Sequence, residues 1–191
     1  MPVLTHEYLD DTWSEFSQKI TALAAQLGLL DKPLDCDHVA LRVNDIQVAK
    51  ALSEHFCRQG SLISHNQING RPIEIIELQQ PLMLGKWSIA CIELPYPGSK
   101  HYPQQGWEHI ELVFPGDFTN CQALEVALVD TFPHLKPVLA EQTDIQVKRS
   151  SPQGQHERLA NPTLAFKSNG ICIKIHPHDI KAIIASEQSA D

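Results

Sequence analysis

The sequence predicts an α+β fold: two tandem βαβββ modules sharing one curved mixed sheet, with an extra helix at the N-terminus. Three observations lead there. "DCDHVALRV" at 35–43 and "GWEHIELVF" at 106–114 share a plan of acid, histidine and apolar alternation, with His38 and His109 lying 71 residues apart. "CIEL" at 91–94 and "CIKI" at 172–175 match in the same order. Between each start and end runs the same succession of one helical and three strand-like segments. Self-similarity at a fixed spacing marks a duplicated unit.

Residues 5–30 read as a helix, because Tyr8, Leu9, Trp13, Phe16, Ile20, Leu23, Ala24 and Leu27 recur at steps of three and four. Gly28 and Pro33 close it. This helical extension occupies 1–34. The first module, 35–94, opens with a strand at 37–43. A helix follows from about Ile46 to Phe56, with Asn44 as its expected cap and Gly60 as its stop. Strands are expected at 61–65, 72–79 and 87–94, with "NG" at 69–70 as a hairpin signal. The Pro- and Gly-rich stretch 95–105 reads as a linker. The second module, 106–176, repeats the plan. Its strand is 107–114, its helix is capped near Asp117 or Thr119, and its strands lie at about 143–149, 162–168 and 170–176. The tail, 177–191, is expected to begin as a short helix and then fray.

A chain of 191 residues is long enough for one sizeable core. Hydrophobic residues at 42% and charged residues at 20% are ordinary for a globular protein. The net charge of −8 argues against a nucleic-acid-binding surface. No apolar run approaches the roughly 18–20 residues of a membrane span. The first residues lack a basic start followed by an apolar run, so no signal peptide and a cytoplasmic location are expected. The five cysteines are odd in number and form no C-x-x-C. They read as reduced, buried thiols, with a cysteine metal site or a catalytic thiol as the alternative.

Strand side chains alternate between two faces. Val39, Leu41 and Val43 should pack under the helices, leaving His38, Ala40 and Arg42 opposite. By the same rule Ile110, Leu112 and Phe114 pack, leaving Trp107, His109, Glu111 and Val113. Ala90, Ile92 and Leu94 pack, leaving Ile89, Cys91 and Glu93; Ile171, Ile173 and Ile175 pack, leaving Cys172, Lys174 and His176. Either this second face is open to water and the alternation is trivial, or its apolar members line a cavity. In a cavity, ionisable groups must be paired, neutralised or bound to metal. His38, His109 and Glu93 then suit one divalent cation: zinc, iron, manganese or nickel. Ligation needs neutral imidazole, so affinity is expected to fall as pH drops through about 6.5.

Glu111 shares the face of His109, as an acceptor orienting an imidazole, a ligand, a general base or a plain carboxylate. Arg42 either clamps a substrate carboxylate or pairs with an acid; Trp107 and His176 are the other substrate-binding candidates. Glu74 and Glu77 point to opposite faces, one of them toward the cavity. His101 and Tyr102 either line the mouth or are plain surface. "HPH" at 176–178 is a clamp or an exposed strand end, and 149–158 reads as a loop able to cover a site. No phosphate-binding loop, nucleotide fingerprint or G-x-S-x-G is present.

"DHVALRV" and the paired modules resemble the vicinal oxygen chelate superfamily over about 35–176. More closely, "CDHVALRV", "GWEHIELVF" and "NGICIKIHPHD" are similar to the small bacterial YecM family, regarded as metal-binding proteins of undefined activity. The resemblance implies ligands on the first and last strands of each module: His38, Glu93, His109 and the position of Lys174. The superfamily usually has glutamate at that last position, and a protonated lysine has no lone pair to give. Three arrangements stay open: three protein ligands alone, His176 in place of the fourth, or Lys174 pairing with Glu93 or Glu111 and abolishing the site. The implied function is a metal-dependent isomerase, epimerase, lyase or dioxygenase acting on a small oxygen-chelating substrate, with Glu111 and Lys174 as catalytic candidates. The alternative is a metal-free small-molecule-binding module. Monomer and homodimer are both compatible with it.

Overall fold

The structure is a computed structural model that describes residues 3–68, 70–151 and 159–188. The elements run α1 (His6–Gln26), β1 (Asp35–Arg42), α2 (Ile46–Cys57), β2 (Gly60–Ile68), β3 (Arg71–Leu84), β4 (Trp87–Pro95) and β5 (Gly106–Val113). They continue with α3 (Cys121–Thr131), α4 (Leu135–Leu139), β6 (Gln146–Ser150), β7 (Thr163–Ser168), β8 (Ile171–His176) and α5 (Ile180–Gln188).

All eight strands form one curved open sheet in the order β2-β3-β4-β1-β5-β8-β7-β6. The order reads the same from either end: each half has its first strand at the centre, its last strand beside it and a hairpin outward. β1 is parallel to β4 and β5 is parallel to β8, while β1 and β5 meet antiparallel at the middle. The sheet is therefore mixed, and the α+β fold with its N-terminal helix stands as expected.

Local chemistry explains the boundaries. The Thr5 hydroxyl accepts the Tyr8 N–H and opens α1. Gly28, at φ +70°, closes it: the Gly28 and Leu29 N–H groups return to the Ala25 and Ala24 carbonyls. Asp45 caps α2, accepting the Gln47 and Val48 N–H groups, so the cap lies one residue beyond the expected Asn44. Asn44 instead holds the linker, bonding the Tyr102 backbone through both ends of its side chain. α3 is capped by Asn120 rather than by Asp117 or Thr119. Asn169 and Gly170, at φ +50° and +79°, make the tight turn between β7 and β8. Asn69 and residues 152–158 of the expected loop lie outside the described residues, while Arg149 and Ser150 pair in β6.

One face of the sheet carries the main core. Val39, Leu41, Ile92, Ile110, Leu112, Ile173 and Ile175 lie beneath α1, α2 and α3. The opposite face is partly covered by α5. Ile184 packs there with Ile73, Ile75 and Cys91 in a second, smaller cluster. Glu77 on this face pairs with Lys181 of α5, and Glu74 turns the other way to accept from the Tyr96 hydroxyl.

Two strand irregularities correct the expected faces. Along β1 and β5 the pairing skips Asp37 and, seventy-one residues on, Glu108. A bulged residue breaks the alternation. Trp107 therefore does not share the face of His109: it packs on α1, its indole N–H donating to the Leu9 carbonyl at 2.9 Å. On β4, Ile89 joins the main core and Ala90 the small cluster, the reverse of strict alternation.

Candidate metal centre

Four side chains from three central strands converge below the sheet face opposite α1. His38 on β1, Glu93 on β4, and His109 and Glu111 on β5 each offer one ligand atom, and these atoms lie within 4.8 Å of one another. The register brings them together. His38 pairs across with Glu111, and Ala40 sits between His109 on one side and Glu93 on the other. His38 Nε2 lies 3.4 Å from Glu111 Oε1 and 3.6 Å from Glu93 Oε2; His109 Nε2 lies 3.1 Å from Glu111 Oε1. The sequence-derived trio meets, and Glu111 joins it.

Lys174, the departure from the resembled pattern, lies on β8 directly across from Glu111. Its Nζ donates to Glu111 Oε1 at 2.6 Å. Its side chain is 28% exposed, against 15% for Glu93 and 9% for Glu111. Lys174 thus forms the wetter wall of the cluster. His176, two residues on, is 1% exposed and lies beneath it, with Nε2 3.3 Å from Asp37 Oδ2 and 3.6 Å from Glu111 Oε2.

The bulged acids are the residues that sequence reading missed. Asp37 Oδ1 sits 3.0 Å from His38 Nδ1. Glu108 Oε2 contacts His109 Nδ1. The available signal was the acid before each histidine, repeated at the same spacing. Asp37 Oδ2 also accepts the Ile180 N–H at the start of α5, and Glu108 Oε1 pairs with Arg42 Nη2 at 2.6 Å. Arg42 is thus tied to an acid and stacked over the Tyr102 ring, 4.4 Å from its centroid. Arg42, Glu108 and Trp107 border a cavity of about 340 Å³ beside α1, with Tyr8 and Phe16 on its other wall.

The electrostatics follow from burial and crowding. Burial alone favours neutral His38, but the Asp37 and Glu111 carboxylates outweigh it and hold its pKa well above the usual value. His109 is raised as well: burial and Lys174 oppose its charge, and Glu108 overcomes both. Glu111 is depressed well below the usual carboxylate range because Lys174 and His38 outweigh its burial. Burial opposes ionised Glu108 too, yet His109 and Arg42 bring it down to about 2. The cysteines on this face are different: burial pushes Cys91 up to about 11 and Cys172 up to about 12. Such thiols are poor thiolate sources.

The donor set fits a divalent cation. Both His38 nitrogens are buried without a hydrogen-bond partner among the described residues. Asp37, Glu93, Glu108 and Glu111 stand against two permanent cations, Arg42 and Lys174. With neutral imidazoles the group carries two uncompensated negative charges. One divalent cation, or protons on His38 and His109, balances it.

Comparison with known proteins matches the YecM protein family over residues 5–187. Protein YecM of Escherichia coli is 43% identical over 175 residues, spanning 92% of this chain and 90% of its own. An uncharacterized protein of Haemophilus influenzae is 36% identical over 171 residues, spanning 87% of this chain and 86% of its own. A solved structure, "Structural Genomics, Protein EC4020", superposes with a TM-score of 0.77 at 37% identity, covering 98% of this chain and 99% of that one. With a match over nearly its whole length and relatives of this closeness, the chain belongs to the YecM family.

Proposed function

We propose that this chain is a divalent-metal-dependent enzyme acting on a small oxygen-chelating substrate. The observation that carries the reading is the convergence of His38, Glu93, His109 and Glu111 within 4.8 Å, in a pocket of excess negative charge. Two imidazoles and carboxylates are the donor set of zinc, iron, manganese and nickel. When bound, such a cation polarises substrate oxygens as a Lewis acid.

The residues around it have separate tasks. His38 and His109 present Nε2 to the centre, and Glu93 supplies charge from β4. Glu111 Oε1 and Lys174 Nζ, 2.6 Å apart, are an acid–base pair able to take a proton from a substrate carbon and return it. That pair favours isomerase, epimerase or lyase chemistry over a dioxygenase-like reaction. Lys174, at the wetter wall, neutralises an oxyanion as it forms. Arg42, paired with Glu108 beside the centre, binds the remainder of the substrate, and His176 supports Glu111 from below; Trp107, packed on α1 on the other face, takes no part. Five unpaired cysteines support a cytoplasmic location. Among the described residues no helix is long and apolar enough to cross a membrane.

One observation favours a second reading. Lys174 already occupies an oxygen of Glu111, and protonated His38 and His109 balance the charge without metal. The chain is then a metal-free small-molecule-binding module. Calorimetric titration of zinc into tag-free protein separates the two. The metal reading predicts one site in the wild type and its loss in His38→Ala. Equal heats from both proteins, or none from either, leave the binding module.

A further inference from the structure

We propose that Asp37 and Glu108 are paired positioning carboxylates: each holds the histidine that follows it with Nδ1–H turned outward and Nε2 aimed at the shared centre. The inference rests on the metal reading above and adds the residues that orient its ligands.

Five observations carry it. Each acid is the residue that the β1–β5 pairing skips, so each bulge puts an acid and its histidine on one face of a strand. In an unbroken strand these neighbours would point apart. The same acid faces the same ring atom in both halves: Asp37 Oδ1 approaches His38 Nδ1 to 3.0 Å, and Glu108 Oε2 hydrogen-bonds with His109 Nδ1. In both rings the other nitrogen, Nε2, faces Glu111. Each carboxylate is itself anchored from outside the centre, Asp37 by the Ile180 N–H and Glu108 by Arg42. Both acids are buried, at 7% and 8% exposure, where an unpaired carboxylate is costly.

The physical role follows from imidazole chemistry. A carboxylate on Nδ1–H fixes the tautomer, locks the ring rotation and makes Nε2 a stronger donor. At His38 the contact lies off the hydrogen-bond axis. The two anchors differ, so the halves are not interchangeable. The His38 dyad is tied to α5, and the His109 dyad to Arg42 and the cavity beside α1.

The test uses the full chain loaded with zinc. Nitrogen-15 spectra of the wild type are expected to show Nε2 ligated and Nδ1 protonated at both His38 and His109. Ligation through Nδ1 at either residue overturns the proposal without any variant. Asp37→Asn and Glu108→Gln keep shape and remove charge. Each is expected to bind zinc about 10–100-fold more weakly, with Glu108→Asp recovering part of the loss. Glu77→Gln, which breaks only the exposed pair with Lys181, should bind as the wild type does. Undiminished affinity in both carboxamide variants overturns the positioning role and leaves the metal reading standing. A wild type that binds no zinc removes the metal reading, and this proposal falls with it.

Discussion

His38 shows how a burial argument and a charge argument oppose each other at one atom. Burial disfavours imidazolium, yet Asp37 and Glu111 hold its proton well above the usual imidazole value. A metal ion must displace that proton. Zinc affinity should therefore rise with pH and keep rising beyond 6.5, the midpoint that an unperturbed histidine gives. Titrations at pH 6, 7 and 8 check this, and a plateau above 6.5 contradicts it. Lys174→Glu should tighten zinc binding, because it removes a cation and adds a carboxylate beside Glu111; unchanged or weaker binding counts against the charge balance. The Glu108 pKa shifts the opposite way to that of His38, and it bears on stability. Its pKa is lowered from 4.5 to about 2, so its contribution to stability is present above 4.5 and lost as pH falls toward 2. Urea denaturation of Glu108→Gln should show a flatter acid limb across that window than the wild type.

At the scale of elements, periodicity was legible and its interruptions were not. Apolar residues at helical and strand spacing placed α1, α2, α3 and all eight strands, because packing forces one face of each inward. His38, Glu93 and His109 could be put on one face for the same reason. Caps slipped by one to three residues, since Asn44 and Asp45 are both good caps and only tertiary bonding assigns Asn44 to Tyr102. Asp45→Ala should accordingly cost about 1 kcal/mol in urea denaturation, the loss of one cap. The bulges at Asp37 and Glu108 left no mark in local propensity, so alternation misplaced Trp107 and hid the two acids. The cover supplied by α5 was also invisible, because its apolar residues could equally have packed on the main core. Ile184→Ala should cost about 2 kcal/mol by opening a void against Ile73 and Ile75. A value near zero would mean that α5 does not hold that face.

At the scale of the whole molecule, the duplicated half explains why the site is central. β1 and β5 meet at the middle of the sheet, so equivalent histidines from the two halves face one another and no single half holds the full set. One chain completes the cluster, and light scattering should report a monomer of about 21.4 kDa binding zinc. Zinc at 100 times its dissociation constant should stabilise the fold by about 2.7 kcal/mol, a rise of roughly 5–10 °C in melting temperature. His38→Ala should not show that rise. Anomalous diffraction from crystals grown with zinc shows the metal centre itself. One peak is expected at roughly 2.0–2.2 Å from His38 Nε2 and His109 Nε2, with Glu93 or Glu111 completing the shell. Well-ordered side chains with no peak between them, and Lys174 still bonded to Glu111, would contradict it.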